Sequence, residues 1–116
     1  MILPVEGKMD ALLTAPELAK HLETTIYKVR RYTKLGILTP VSIHKKDGKT
    51  FLYDSRCAEI KLELLHNLRL DYPLAELGRI FKRVFGKRDV NLIKALHSLV
   101  DKEDVMRKFE KEIEGL

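Results

Sequence analysis

The sequence is poor in residues that cross-link or anchor a protein. Its 116 residues include one cysteine, Cys57, and a single thiol can neither form an internal disulfide nor hold a metal ion alone. No apolar run approaches the roughly 18 to 20 residues of a membrane-spanning helix. The N-terminal stretch is acidic and lacks a basic cluster, which is untypical of a secretory signal. We therefore expect one domain in a reducing, cytoplasmic setting, with no membrane contact.

Signatures of catalysis are also missing. The sequence has no glycine-rich phosphate loop, no nucleophile elbow and no spaced pair of carboxylates. Its four histidines, His21, His44, His66 and His97, show no metal-ligand spacing. We therefore predict no enzymatic activity, no cofactor and no metal site. Cys57 lies at the start of a predicted helix, where a small core residue is the more common role.

Positive charge is abundant and unevenly distributed. The formal net charge is +5, yet segment 20–56 alone has nine basic and three acidic residues, a net charge of +6. Charge concentrated in one part of a chain is what contact with phosphates requires. A second basic run has no acid in it, and for this run a solvated helix face and a phosphate contact are equally good interpretations. Its members are Arg79, Lys82, Arg83, Lys87 and Arg88.

The first predicted unit is a pair of short helices joined by a tight turn. Thr14 and Glu17 have the spacing of a capping box at the start of the first helix. Thr24 or Thr25 can cap the second helix, and Gly36 ends it. Helical spacing predicts that the second helix buries Ile26, Val29 and Tyr32. It leaves exposed Tyr27, Lys28, Arg30, Arg31 and Lys34.

A β-hairpin is predicted next, followed by helices. Segment 41–44 alternates in polarity, Asp47-Gly48 marks a turn, and segment 50–53 is the returning strand. Asp54 or Ser55 can cap a third helix that runs to about residue 70. Pro73 suits the start of a fourth helix, which a glycine at position 86 ends.

The last helix is predicted to run without a break from about Val90 to Glu114. Its apolar residues recur every seven positions, with Lys102 as an interruption. The apolar length favours pairing with a second copy of the chain, and folding back onto its own domain is the alternative. The predicted dimer contacts are Leu92, Leu96, Leu99, Met106, Phe109 and Ile113.

This order of elements resembles the MerR-type winged-helix DNA-binding domain over about residues 13–85. The stretch TTIYKVRRYTKLGIL is similar to that family's recognition helix, with Arg30 at the arginine position and Tyr32 at the second aromatic. DYPLAELGRIF resembles the start of a later family helix. Arg31 replaces the first aromatic of the family's pair, and the family's wing arginine is missing here, where Lys49 or Lys46 can substitute.

The resemblance implies a mainly α fold, a winged helix-turn-helix with a small β-hairpin wing and a C-terminal dimerisation helix. The implied domains are an N-terminal extension over 1–12, a DNA-binding domain over 13–88 and a coiled-coil helix over 89–116. The implied function is a sequence-specific transcriptional regulator that binds a two-fold operator in double-stranded DNA as a homodimer, on the bacterial nucleoid. Contact with RNA polymerase or with a small effector is left open.

The predicted DNA contacts fall into two groups. Residues near the start of the second helix can reach base edges, whereas the others position the protein on phosphates. The base-reading candidates are Thr25, Tyr27, Lys28 and Arg31. The phosphate candidates are Arg30, Lys45, Lys46, Lys49 and Tyr53, with Lys34 on the same helix and His44 as a weak addition.

Two other functions remain as alternatives. An excisionase-like architectural protein also uses a small winged helix, bends DNA and needs no dimerisation helix, so the heptad pattern argues against it. A winged-helix adaptor would bind a protein partner instead of DNA. A steep loss of DNA affinity with added salt distinguishes DNA binding from the adaptor role.

Overall fold

The structure, a computed structural model, describes residues 12–44, 50–99 and 101–116. These ranges form a mainly helical fold with one small antiparallel sheet of strand order β1-β3-β2. The strands are β1 (Leu12–Leu13), β2 (Ser42–His44) and β3 (Thr50–Asp54). The helices are α1 (Ala15–His21), α2 (Ile26–Leu35), α3 (Ser55–Leu68), α4 (Leu74–Phe85), α5 (Val90–Ser98) and α6 (Lys102–Glu114), with a 3-10 turn over Lys87–Asp89.

The predicted ends of α1 and α2 are confirmed. The backbone N–H of Thr14 donates to Glu17 Oε1 at 2.9 Å, and the Glu17 N–H donates to Thr14 Oγ1 at 3.4 Å. This reciprocal pair is a capping box. Thr25 Oγ1 accepts from the Lys28 N–H at 3.1 Å, and Gly36 ends α2 in the left-handed conformation with φ of 85°. Both helix boundaries therefore follow from hydrogen bonds within one turn.

The sheet holds a strand that the sequence pattern did not predict. Leu12 and Leu13 of β1 pair with Asp54 and Tyr53 of β3, while β3 pairs on its other side with β2. Two residues are too few for a period-two pattern to be recognised, so only the partner strand reveals β1. The proposed domain boundary between positions 12 and 13 therefore cuts a strand. The predicted turn over 45–49 lies outside the described residues.

Buried side chains form two adjoining clusters. The smaller one joins α1, α2 and the sheet, and the larger one joins α3 to α6. Tyr32 and Leu62 pack against both, so the two clusters are continuous. In the larger cluster the Phe85 ring lies 4.7 Å from the Phe109 ring and 5.2 Å from the Phe81 ring, measured between centroids. The C-terminal helices thus belong to the same core as α4.

The prediction of one continuous C-terminal helix is wrong. The chain breaks after Ser98, where Leu99 adopts an extended conformation, and a new helix begins behind Asp101. The Asp101 carboxylate accepts from the Glu103 N–H at 3.0 Å, which is a helix N-cap. Lys102, which the sequence pattern indicated as an interruption of the apolar stripe, is therefore the first residue of a helix.

The predicted coiled-coil seam is also wrong, because its residues are used inside the chain. The break lets α6 turn back against α3, α4 and α5. Leu92, Phe109 and Ile113 are completely buried in the larger cluster. Leu96, Leu99 and Met106 are half-buried and pack against the same cluster. The alternative of folding back onto the domain is the one observed, and residues 89–116 are not a separate unit.

Cys57 belongs to the core, as its position in the sequence predicted. Its side chain is buried at the start of α3. Burial raises the pKa of the Cys57 thiol, and the nearby Asp54 and Asp89 carboxylates raise it further. A thiol held in its neutral form is a poor nucleophile.

In the described ranges no helix has the length and apolarity needed to cross a bilayer.

Candidate nucleic-acid interface

Helix α2 presents a basic face to solvent. Val29 is its one fully buried side chain, whereas Lys28, Arg30, Arg31 and Lys34 are exposed. Tyr27 is 72% exposed, whereas aromatic side chains usually bury most of their surface. The exposed set predicted for this helix is confirmed as exposed. Ile26 was predicted to be buried, but it stands at the first position of the helix and is also exposed.

The cations of α2 are not neutralised by acids. Within the described ranges, none of the four basic side chains has an acidic group within ion-pair distance. The first turn of α2 also has no acidic residue. The acids of α3, by contrast, are already paired: Glu59 contacts His21 at 2.6 Å and Lys102 at 3.7 Å. Helix α2 therefore carries four exposed cations that no acid of the described ranges neutralises.

A hydrogen-bond chain fixes α2 against the sheet. The Thr33 hydroxyl donates to the Val29 carbonyl oxygen at 2.8 Å, and the Tyr53 hydroxyl lies 2.8 Å from the Thr33 hydroxyl. Because the one Thr33 proton goes to a carbonyl, Tyr53 must be the donor in the second bond. This link joins residues 20 positions apart in the chain. It sets the rotation of α2 and thus the direction of its basic face.

The same bond removes Tyr53 from the predicted phosphate contacts. Tyr53 is only 2% exposed, and its proton is already donated to Thr33. A phosphate oxygen needs a donor, so the buried hydroxyl cannot serve it. Burial raises the pKa of Tyr53, with the Thr33 hydrogen bond and the charge of Arg30 acting in the opposite direction. Tyr53 is a positioning residue for α2.

A close helix contact fixes the other end of α2. Helix α4 crosses the last turn of α2 at Gly78, where an added Cβ would lie 1.9 Å from the Leu35 carbonyl oxygen. Only a residue without a side chain fits there. One turn further along α4, the Lys82 side chain lies over Gly36. This contact has no local sign in the sequence, since the pattern of α4 alone shows an ordinary amphipathic helix.

A groove runs beside the basic face, between the start of α1, helix α2 and strand β3. Its volume is ≈ 670 Å³, and its lining combines apolar and basic side chains. Arg30 and Lys34 stand on one side, with Pro16 and Phe51 opposite. The groove therefore extends the basic face of α2 toward the hairpin.

The remaining predicted contacts are Thr25, His44 and three lysines. Thr25 is exposed, although its hydroxyl already accepts the capping bond from Lys28. His44 ends β2, with its backbone paired to Thr50. The predicted phosphate contacts Lys45, Lys46 and Lys49 lie outside the described residues.

A buried ion pair was missed by the sequence analysis. Lys61 Nζ donates to Asp89 Oδ1 at 2.7 Å, with both side chains almost completely buried. The ammonium also lies 3.4 Å from Thr39 Oγ1 and 5.5 Å from the centre of the Phe85 ring. Burial lowers the pKa of Lys61 and raises the pKa of Asp89, while each partner's charge opposes the other's shift. Lys61 lies one helical turn after Cys57, on the apolar face of α3. A lysine on an apolar helix face was the signal in the sequence that could have indicated a buried ion pair.

The pair holds an unusual turn between α4 and α5. Arg88 and Asp89 both adopt the left-handed conformation, with φ of 53° and 58°. That conformation costs roughly 1 to 2 kcal/mol for each residue that is not glycine. The Lys61 contact holds the Asp89 carboxylate on the core side of this turn. The turn therefore leaves Lys87 and Arg88 at the surface.

Comparison with family models, with curated proteins and with solved structures finds no match to this chain.

Proposed function

We propose that this chain is a DNA-binding protein that places the exposed face of α2 in the major groove, with the β2–β3 hairpin beside it as a wing. The observation that carries the proposal is the basic face of α2, which is formed by the exposed side chains of Lys28, Arg30, Arg31 and Lys34. An α-helix fits the width of the major groove, and its basic side chains can bind the flanking phosphates. The hydrogen bond of Tyr53 and the Gly78 contact keep that face in one orientation.

The more particular proposal is a MerR-like winged-helix transcriptional regulator that reads a specific sequence. Tyr27, Lys28 and Arg31 lie on the first turns of α2, from which side chains can reach base edges. Arg31 is suited to guanine, because its guanidinium can donate two parallel hydrogen bonds to the N7 and O6 atoms. Selection of binding sites from a random duplex library tests sequence specificity directly.

The Arg30→Ala variant is expected to bind duplex DNA more weakly at every sequence. If Arg30 holds one phosphate, the slope of log K against log salt becomes shallower by about 0.9. Fluorescence anisotropy of a labelled duplex over a series of salt concentrations measures this slope. Lys111→Ala is the matched control, since Lys111 is an exposed cation on α6 with no acid within ion-pair distance among the described residues.

Two results would contradict the proposal. Equal slopes for Arg30→Ala, Lys111→Ala and the unmodified chain would remove the phosphate role of Arg30. An affinity for DNA that does not fall with added salt would remove DNA binding through the basic face altogether, and would favour the protein-binding adaptor.

The excisionase-like architectural protein is now the second candidate function. The observation that favours it is the position of Leu92, Phe109 and Ile113, which are buried in the chain's own core instead of forming a seam for a second copy. A two-fold operator would then need another dimer contact. An architectural protein binds as single copies or in arrays and bends the duplex it contacts.

The chain is expected to sediment as a monomer at micromolar concentration, because Leu92, Phe109 and Ile113 of the predicted seam are buried in the chain's own core. Analytical ultracentrifugation measures the mass of the free chain, and the same run with a duplex measures the stoichiometry. Leu116 is an apolar residue with 59% exposure, and Leu116→Gln removes it as a source of non-specific association. A dimer that persists in this variant would support the two-fold regulator. A monomer that bends DNA in a fluorescence transfer assay favours the architectural function.

A further inference from the structure

The second basic run forms an exposed surface at the end of α4. Arg79, Lys82 and Arg83 lie on α4, and Lys87 and Arg88 lie in the turn that follows. All five side chains are exposed. In the part of the chain that the structure describes, none of them has an acid within ion-pair distance. We call this set the α4 patch.

Three members of the α4 patch surround one depression. Lys82, Lys87 and Arg88 line it from one side, and Thr39, Pro40 and Ile43 line it from the other. Its volume is ≈ 440 Å³ and it opens to solvent. Cations that converge on one concave surface can contact the same anionic group, whereas cations spread around a helix cannot.

The one acid in this part of the chain does not weaken the patch. Asp89 follows Arg88 directly, but its carboxylate points into the core and is bound to Lys61 at 2.7 Å. The left-handed conformation of Arg88 and Asp89 separates the two side chains, one outward and one inward. The buried pair therefore keeps the negative charge of Asp89 away from the surface.

The α4 patch is continuous with the basic face of α2. Lys82 lies over Gly36, the residue that ends α2, so its side chain connects the α4 patch to the C-terminal end of α2. Ile43 belongs to β2, so the depression also borders the hairpin. A strongly anionic polymer that contacts α2 would meet the patch next.

We propose that the α4 patch is a second binding site for the sugar-phosphate backbone of duplex DNA, outside the groove that α2 enters. The inference rests on the proposed function. Its physical basis is charge complementarity over a continuous surface, since each added phosphate contact releases counterions and increases the affinity. A duplex that follows the surface from α2 to the patch is bound over a longer footprint than α2 and the hairpin alone provide.

The experiment compares two variants on two duplexes of random sequence. The test variant is Lys87→Gln/Arg88→Gln, and the control is Lys94→Gln/Lys111→Gln, which removes the same charge from α5 and α6. One duplex has about 10 base pairs, one helical turn, and the other about 30 base pairs. On the longer duplex we expect the test variant to lower the salt slope by about 2 relative to the unmodified chain. On the shorter duplex its slope should equal that of the unmodified chain.

Three outcomes would overturn the inference. In the first, the test and control variants have the same salt slope on the longer duplex, and the unmodified chain still binds DNA. The inference then fails while the proposed function survives. In the second, the unmodified chain binds neither duplex, and the proposed function fails as well. In the third, the patch cations increase binding to phosphatidylserine vesicles and have no effect on DNA. Circular dichroism of each variant verifies that its helices are intact.

Discussion

The Lys61→Met variant is expected to lower the free energy of unfolding by about 3 to 5 kcal/mol at pH 7. The substitution keeps the apolar stem that lies beside the Phe85 ring and removes the ammonium that binds Asp89. A carboxylate then remains in the core without a partner for its charge. Urea unfolding followed by circular dichroism measures the difference.

The penalty should decrease as the pH falls from 7 to 5. Burial raises the pKa of Asp89 above its unfolded value, and loss of the Lys61 ammonium raises it further. A group with a raised pKa in the folded state binds a proton there before it does so in the unfolded chain. Its contribution to stability is therefore present at low pH and is lost as the pH rises through the folded pKa.

Two controls separate this effect from general damage. The double variant Lys61→Met/Asp89→Asn has no carboxyl at position 89 to protonate, so acidification should not recover its stability as it does for Lys61→Met. Asparagine also tolerates the left-handed conformation of position 89. Lys108→Met breaks an exposed ion pair of similar length, 2.8 Å to Glu112, and should cost less than about 1 kcal/mol. A penalty for Lys61→Met that grows on acidification would refute the buried-charge account.

The Gly78→Ala variant is expected to lose about 3 kcal/mol of stability, near the upper end of the usual cost of overpacking. Alanine normally stabilises a helix interior by about 1 kcal/mol relative to glycine. Here its methyl group would meet the Leu35 carbonyl oxygen at 1.9 Å, so α4 and α2 must move apart. Thermal unfolding should show a lowering of Tm by roughly 10 °C.

Gly78→Ala should also weaken DNA binding in the variant that remains folded, because the end of α2 is displaced. Gly115→Ala is the matched control, since the nearest atom to its added Cβ is a backbone oxygen at 3.6 Å. That variant should stay within about 0.5 kcal/mol of the unmodified chain. A stabilised Gly78→Ala protein would mean that α2 and α4 are not in contact as described.

The features that were predicted correctly depend on interactions between residues that are close together in the chain. The capping box of Thr14 and Glu17, the cap at Thr25 and the glycine that ends α2 were predicted, because each is made within a few residues. The basic face of α2 was predicted for the same reason, since helical spacing decides which side chains share a face. The heptad period of the C-terminal segment was also real, but it did not specify which surface it would cover.

The remaining features of the fold depend on contacts between residues that are distant in the chain. Residue order alone specifies where most helices begin and end and where positive charge accumulates, because hydrogen bonds between near neighbours and the order of the residues suffice for both. The packing of Phe109 on Phe85, the donation of the Tyr53 proton to Thr33 and the pairing of Lys61 with Asp89 each needed the folded chain. An apolar stripe is stabilised by any apolar partner, so the chain's own core could take the place of a second copy.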